Sequence, residues 1–347
     1  MKKPHFILTS IITAIPLLLN PFSSSYNHDS YRNLTYSHLY VLGDSLSDTG
    51  GLVGAGTDFF KGKWFLPQIK AITFDSPFYN HVSFSNGPVA VQYLADQLHL
   101  SLTPGWKYSA FWNTETFEQY GNNYAIGGAD IGDVNTWTGY FFANRFELAN
   151  QLQTLLLQHT IQPQDLIVVE GGNNDLFAAI GLKNSYEQQT IITTALSSEE
   201  KILRELIANH AAHIIVTNVP DMGKTPSYYQ TPLEQTATNL ATEYNNQWSQ
   251  IINKLQHQYP HKIKTYNLFN AFNKYRQQFA AQGFNVTEAC IKENLVSVLY
   301  SGHVKTTYIN NCNPHNINNY FFFDDVHPTA LVHKMVGLDL YNLALNW

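Results

Sequence analysis

The sequence predicts a doubly wound α/β fold, in which a mainly parallel sheet is covered by helices on both faces. Three observations carry this. Short β-rich apolar runs recur along the chain. Longer segments with apolar residues at helical spacing lie between them. Hydrophobic residues make up 44% of the 347 positions, enough to bury a substantial core. With no internal repeat, low-complexity linker or block of like charge to divide it, the chain is expected to form a single domain over residues 36–347.

Ahead of that domain, residues 1–25 read as a secretory signal peptide. Lys2 and Lys3 precede an apolar stretch from Phe6 to Leu19, which is followed by Pro21 and the small residues Ser23 and Ser25. The stretch is shorter than the roughly 20 residues a membrane-spanning helix needs, and Thr9, Ser10, Thr13 and Pro16 interrupt it. Cleavage is expected near Ser25 and the product is expected to be secreted, with periplasmic transit or residence compatible with the same leader.

The elements then follow in order. "HLYVLG" (His38 to Gly43) is the first expected strand. "SNGPVAVQYLADQLHL" is an amphipathic helix, with Val91, Leu94, Ala95 and Leu98 at i, i+3, i+4 and i+7, Ser85 or Asn86 as cap and Pro88 in the first turn. "NNYAIG" (Asn122 to Gly127) is a second strand, and Leu148, Leu152, Leu155 and Leu156 mark the next helix. "DLIVVEGG" (Asp165 to Gly172), a helix through Ile202, Leu203, Leu206 and Ile207, and "HIIVTNVP" (His213 to Pro220) continue the alternation. A helix from Leu233 to His257, the strand "KIKTYNLF" (Lys262 to Phe269) and a last helix from Thr329 to Leu345 complete it.

Charge and cysteine content narrow the function. Only 13% of residues are charged and the formal balance is −6, so nothing favours a nucleic-acid partner. The 14 histidines show no metal-ligand spacing such as HExxH, and no His cluster accompanies the two cysteines, so neither a metal nor a cofactor is expected. In an exported chain Cys290 and Cys312 are expected to form a disulfide. It closes a loop of about 20 residues, worth about 3 kcal/mol in the chain-entropy account. The sequons at Asn33 and Asn285 carry weight only in a glycosylating host.

Open α/β sheets bind ligands beyond the C-terminal ends of their strands, which draws attention to Ser45 in "VLGDSLSDTG". On its own the serine reads first as a turn residue, and the rest of the chain has to decide. A base is available in "YFFFDDVHPT", where Asp324 stands three residues before His327 and the adjacent Asp325 is a competing carboxylate. In a turn, the Asp324 carboxylate can accept from Nδ1 and leave Nε2 facing a hydroxyl. Taken alone, that stretch is also an acidic turn before a helix-starting proline. Ester cleavage through Ser45 further needs fixed N–H donors for an oxyanion. The Ser45 and Gly87 backbone amides and the Asn174 side chain in "GGNND" are the candidates, with helix entry and a plain turn as their alternative roles.

The stretches "GDSLSD", "FSNGP", "GGNND" and "DDVHP", in that order, resemble the sequence blocks of the GDSL, or SGNH, family of serine esterases and lipases. The resemblance implies a flavodoxin-like three-layer α/β/α sandwich, the SGNH hydrolase fold. It implies Ser45 as nucleophile, Asp324 and His327 as its partners, and Ser45, Gly87 and Asn174 as the oxyanion hole. The α/β-hydrolase elbow is a different motif, since Ser47 stands where GxSxG needs glycine.

"NYAIGGA" (Asn123 to Ala129) and "VPDMGKTP" (Val219 to Pro226) resemble the secreted bacterial branch of phospholipases A, lysophospholipases and glycerophospholipid:cholesterol acyltransferases. That branch implies a phospholipid or lysophospholipid substrate, a sterol as acyl acceptor and transient contact with a membrane surface. It also implies an activating protease acting at the bridged 290–312 loop. The chain departs from the family in reading Asp48-Thr49-Gly50-Gly51 where many members have Asp-x-Gly-Asn. Asp48 is expected to be structural, so the departure bears on loop geometry. "WKYSAFW" (Trp106 to Trp112) and "WTGYFF" (Trp137 to Phe142) are read either as acyl-tunnel or membrane-facing aromatics or as ordinary packing. Two other functions stand beside the lipase: a secreted short-chain or carbohydrate-acetyl esterase using the same serine, and a catalytically silent lipid-binding or adhesion protein, which the complete five-residue set disfavours.

Overall fold

Residues 35–60, 71–109, 116–132 and 146–347 are described by the structure, a computed structural model, and fall within one unit, Leu34–Trp347. The leader, "WTGYFF" and the end of "WKYSAFW" lie outside them. In chain order the elements are β1 (Leu39–Leu42), α1 (Gly51–Phe60), β2 (Thr73–Phe74), α2 (Ala90–Leu98), β3 (Trp106–Ser109), β4 (Thr116–Gln119) and α3 (Leu148–Gln158). They continue with β5 (Leu166–Val169), α4 (Asn173–Ile180), α5 (Ser185–Ala208), β6 (His213–Thr217), α6 (Glu234–Gln258), β7 (Ile263–Tyr266) and α7 (Leu268–Ala281). The last part holds β8 (Asn285–Ala289), β9 (Ile291–Asn294), α8 (Val298–Ser301), β10 (His303–Tyr308), β11 (Tyr320–Phe322) and α9 (Ala330–Leu345).

The central sheet has the order β1-β5-β6-β7, all parallel. Its strands are continuous apolar runs because both faces are covered. Tyr40, Leu42, Ile167, Val169, Ile214 and Val216 face one core with α3, α5 and α6, while Leu39, Val41, Leu166, Val168 and Ile215 face the other with α2, α7 and α9. This is the expected three-layer α/β/α sandwich.

"NNYAIG" is not a regular strand, but it runs along the free edge of β1. Val41 N donates to Asn122 O (3.0 Å), Tyr124 N to Val41 O (2.8 Å) and Ile126 N to Gly43 O (3.1 Å). The segment departs from regular pairing where Asn123 turns its amide to Ser47 O and Thr49 Oγ1, both at 2.8 Å. From β1 the chain passes to this segment on one side and then to β5 on the other. β1 therefore ends at the point where the winding reverses, where such sheets form their binding crevice.

Helix α2 starts at Ala90, later than its predicted caps, because those caps serve another helix. Asn86 Oδ1 accepts from Ala330 N (2.9 Å) and Ser85 Oγ donates to Pro328 O (3.0 Å), so "FSNGP" fastens the start of α9. The predicted helix around Ile202 is part of the longer α5, opened by Asn184 Oδ1 accepting from Tyr186 N (2.9 Å). The predicted strand "KIKTYNLF" stops at Tyr266, where Asn267 Oδ1 accepts from Asn270 N (2.9 Å) and starts α7.

Outside the sandwich, β2, β10 and β9 form one small sheet and β11 and β8 another. Cys290 and Cys312 are bridged there, with Cα atoms 5.1 Å apart, and pack in a satellite core with Phe74, Phe78 and Phe323. This region is tied to the "DDVHP" loop: Cys290 N and Ile291 N both donate to Phe323 O (3.1 and 2.9 Å), and Phe323 N donates to His327 O (2.8 Å). Among the described residues, no helix is long and apolar enough to cross a membrane.

Candidate active site

Ser45 follows β1 in a turn held from below. Asp44 Oδ1 accepts from Leu46 N (3.0 Å), and its Oδ2 accepts from Asn173 Nδ2 (2.8 Å). The hydroxyl of Ser45 lies 2.7 Å from His327 Nε2. On the other side of the ring, Nδ1 lies 2.7 Å from Asp324 Oδ2. Asp324 Oδ1 accepts from the backbone N–H groups of Val326 (2.9 Å) and His327 (2.7 Å), so the loop's own amides orient the carboxylate.

A carboxylate only accepts, so Nδ1 carries the ring proton and Nε2 presents its lone pair to the Ser45 hydroxyl. Burial works against a charged His327, but the Asp324 carboxylate, aided by Glu293 and Asp44, outweighs it and raises the ring's pKa. The Asp325 side chain is exposed and makes no bond to the ring. The competition left open by the sequence thus falls to Asp324. The arrangement can withdraw a proton from Ser45 and hold the resulting imidazolium against a carboxylate.

Asn174, in the first turn of α4, is buried and lines the same cavity as Ser45 and His327. One of its amide hydrogens goes to Ala129 O (2.9 Å), which fixes the side chain and leaves the second hydrogen free of that bond. Gly87 sits against Ala330, where a Cβ would come within 2.5 Å of the Ala330 Cβ, so only glycine allows this close approach. It is not among the residues lining the cavity. Among the described residues, the backbone N–H groups of Ser45 and Gly87 make no hydrogen bond. Phe84 packs on His327 with ring centroids 5.0 Å apart.

Asp48 is structural, as expected. It accepts from the amides of Gly50 (2.7 Å), Gly51 (2.6 Å), Leu52 (3.0 Å) and Gly127 (2.8 Å), capping α1 and joining it to the β1 edge segment. A Cβ on Gly51 would stand 2.5 Å from Ala125 O, so in this packing the departure from Asp-x-Gly-Asn is required by space.

Sequence reasoning missed the acid network beneath Ser45. Glu170, at the C-terminal end of β5, accepts from Ser47 Oγ (3.1 Å) and Asn173 Nδ2 (2.8 Å) beside the buried Asp44. Burial, with Asp44 next, pushes the Glu170 carboxyl well above the usual range, and burial raises Asp44 as well. The available signal was a lone acid ending the apolar run "LIVVE".

A cavity opens at Ser45. Val91, Val168, Phe272, Val332, Val336 and Leu340 give it a mostly apolar wall between the sheet and α2, α7 and α9. Of the aromatics singled out in the sequence, the described Trp106 is not part of that wall. Trp106 packs instead in a separate core with Ala55, Ile126 and Phe146.

The GDSL-like Lipase/Acylhydrolase family model matches residues 39–340. The phosphatidylcholine-sterol acyltransferase of Aeromonas hydrophila is 26% identical over 216 residues, covering 60% of this chain and 52% of that protein. Lipase 1 of Photorhabdus luminescens is 29% identical over 194 residues, 55% of this chain and 23% of that one. The chain thus spans about half the length of the first and under a quarter of the second. Among solved structures, the acetylxylan esterase Axe2 of Geobacillus stearothermophilus is 13% identical with a TM-score of 0.42, covering 90% of this chain and 96% of its own. With the family match running from the first residue of β1 into α9, the chain belongs to the GDSL-like lipase/acylhydrolase family.

Proposed function

We propose that the protein is a secreted serine-dependent lipid acyl hydrolase of the phospholipase A or lysophospholipase kind, able to pass its acyl group to a sterol. The observation that carries this is the unbroken chain Ser45–His327–Asp324, two hydrogen bonds of 2.7 Å, on the wall of an apolar cavity. Ser45 attacks an ester carbonyl as His327 takes its proton. Asn174 and the unspent amides of Ser45 and Gly87 receive the oxyanion, and collapse of the intermediate expels the alcohol, protonated by His327. Water or a sterol hydroxyl, deprotonated in turn by His327, then releases the acyl group. The mostly apolar wall favours a hydrocarbon chain over a sugar acetate, and the secreted setting, the phospholipid substrate and the membrane contact follow from the branch the motifs resemble.

Product analysis on phosphatidylcholine vesicles with and without cholesterol tests the reading. Fatty acid release that disappears in Ser45→Ala supports the hydrolase, and steryl ester formation supports transfer. Activity confined to acetyl esters would replace the lipase with a short-chain esterase. Unchanged product yield from Ser45→Ala would reject the mechanism.

A further inference from the structure

Among the described residues, three buried polar atoms of residues bordering the cavity have no hydrogen-bond partner: His333 Nε2, Thr217 Oγ1 and Asn173 Oδ1. Their residues are 3%, 5% and 6% exposed. Buried polar atoms are paired in the great majority of cases, so three exceptions around one cavity call for a physical account. The cavity is otherwise mostly apolar, and it adjoins the proposed nucleophile.

Two of the three have a fixed role. The backbone N–H of Ala90 donates to His333 Nδ1 (3.2 Å), so that nitrogen is an acceptor and the neutral ring carries its hydrogen on Nε2. Burial, followed by the nearby His327, lowers the His333 pKa to about 3, so the ring stays neutral under working conditions. Asn173 donates its Nδ2 hydrogens to Asp44 and Glu170, both at 2.8 Å, which fixes the amide orientation and leaves Oδ1 as a pure acceptor. Thr217, at the C-terminal end of β6, brings a hydroxyl that can do either.

One donor, one acceptor and one hydroxyl match an alcohol group, which accepts one hydrogen bond and donates another. An anion would meet an acceptor and no cation among these three groups. An unsubstituted hydrocarbon would leave all three unpaired. We propose that the cavity is built for an acyl chain carrying a hydroxyl, with His333 donating to the hydroxyl oxygen and Asn173 or Thr217 accepting its hydrogen. This specifies the acyl substrate of the serine esterase proposed above and rests on that reading.

The test uses the full chain and chromogenic esters of one acyl length, unsubstituted or hydroxylated at successive carbons. The wild-type protein is expected to prefer one hydroxyl position over the unsubstituted ester by at least about 10-fold in kcat/KM, mainly through KM. His333→Asn places an amide oxygen where Nδ1 accepts from Ala90 but lacks the Nε2 hydrogen, so it is expected to abolish the preference. His333→Gln, whose amide nitrogen reaches the Nε2 position, is expected to restore part of it. A wild-type ratio near one at every position, or a preference that survives in His333→Asn, would overturn the proposal. The wild-type ratio decides even if both variants misfold. If the wild type hydrolyses none of the esters and is not labelled by a serine-directed phosphonate, the serine esterase reading itself fails and the proposal falls with it.

Discussion

Replacing Asp324 by Asn tests the proposed chemistry most directly, because the loop dictates which way the new amide points. Asp324 Oδ1 accepts from two backbone N–H groups, at 2.9 and 2.7 Å. An asparagine that keeps those bonds must place its oxygen there and its NH2 against His327 Nδ1. The reverse orientation would set an NH2 against two N–H donors and forfeit both bonds, each lost partner of a buried group costing about 1–3 kcal/mol. The favoured orientation makes Nδ1 an acceptor and moves the ring proton to Nε2, where it faces the Ser45 hydroxyl and blocks proton transfer. The same tautomer inversion in serine proteases lowers kcat on the order of 10⁴-fold, or about 5.4 kcal/mol of barrier, and a similar loss is expected here.

The acid limb of the pH profile adds a second readout. Catalysis needs neutral His327, whose pKa stands above its ordinary value mainly because of the Asp324 charge. Wild-type activity therefore falls as pH drops through that raised value, and in Asp324→Asn the limb moves to lower pH. Stopped-flow and steady-state rates on a soluble ester between pH 5 and 9 would measure both effects. A loss of less than about 10-fold, with the limb unmoved, would refute the assigned role of Asp324.

Three further outcomes are expected. Asn174→Ala should lower kcat about 100- to 1000-fold with a smaller effect on KM, read from saturation kinetics, because one oxyanion donor is lost. Cys290→Ala with Cys312→Ala should lower unfolding stability by about 3 kcal/mol for this loop length, read from the denaturant midpoint. Glu199 is buried against Trp248 Nε1 (3.3 Å) and Tyr244 OH (3.4 Å), and burial pushes its carboxyl up to about 8. The folded state therefore keeps a proton that the unfolded chain releases near the ordinary value of 4.5. Stability from this group is full below 4.5, falls as pH rises and is lost by about 8, so Glu199→Gln should flatten that decline in denaturation curves taken across the interval.

The sandwich was legible because its strands and helices carry their own periodicity: "LYVL" and "LIVV" are buried on both faces, and the apolar spacings of α2, α3 and α5 need no long-range information. What escaped notice depends on partners far along the chain. Ser85 and Asn86 look like caps for the helix that follows them, yet they bind Pro328 and Ala330, more than 240 positions away. Helix α4 is short and opens on polar residues, because Asn173 and Asn174 are spent on the site. The Asp324–His327 pair could be read from its local spacing, whereas Glu170 could not, since its partners Ser47 and Asp44 come from another strand's turn. His333 fits its helix unobtrusively, and only the Ala90 amide reveals which nitrogen carries its hydrogen.

The acids around His327 must be weighed together. A general base has to be neutral before it acts, yet Asp324, Glu293 and Asp44 each favour the charged ring. Each of these carboxyls, when ionised, stabilises the imidazolium and so works against the neutral ring that accepts the Ser45 proton. Burial limits this. It pushes Glu293 up to about 7 and raises Asp44 and Glu170, so these acids hold protons at pH values where exposed carboxyls are fully charged. Two loop amides and the ring itself satisfy the oxygens of Asp324. Asp324 orients the base, while Asp44 and Glu170 are placed by hydrogen bonds that survive protonation: Asn173 to Asp44 and Glu170, and Ser47 to Glu170. The β1–α1 turn and the start of α4 are thus joined beneath the nucleophile at little electrostatic cost to the imidazole above it.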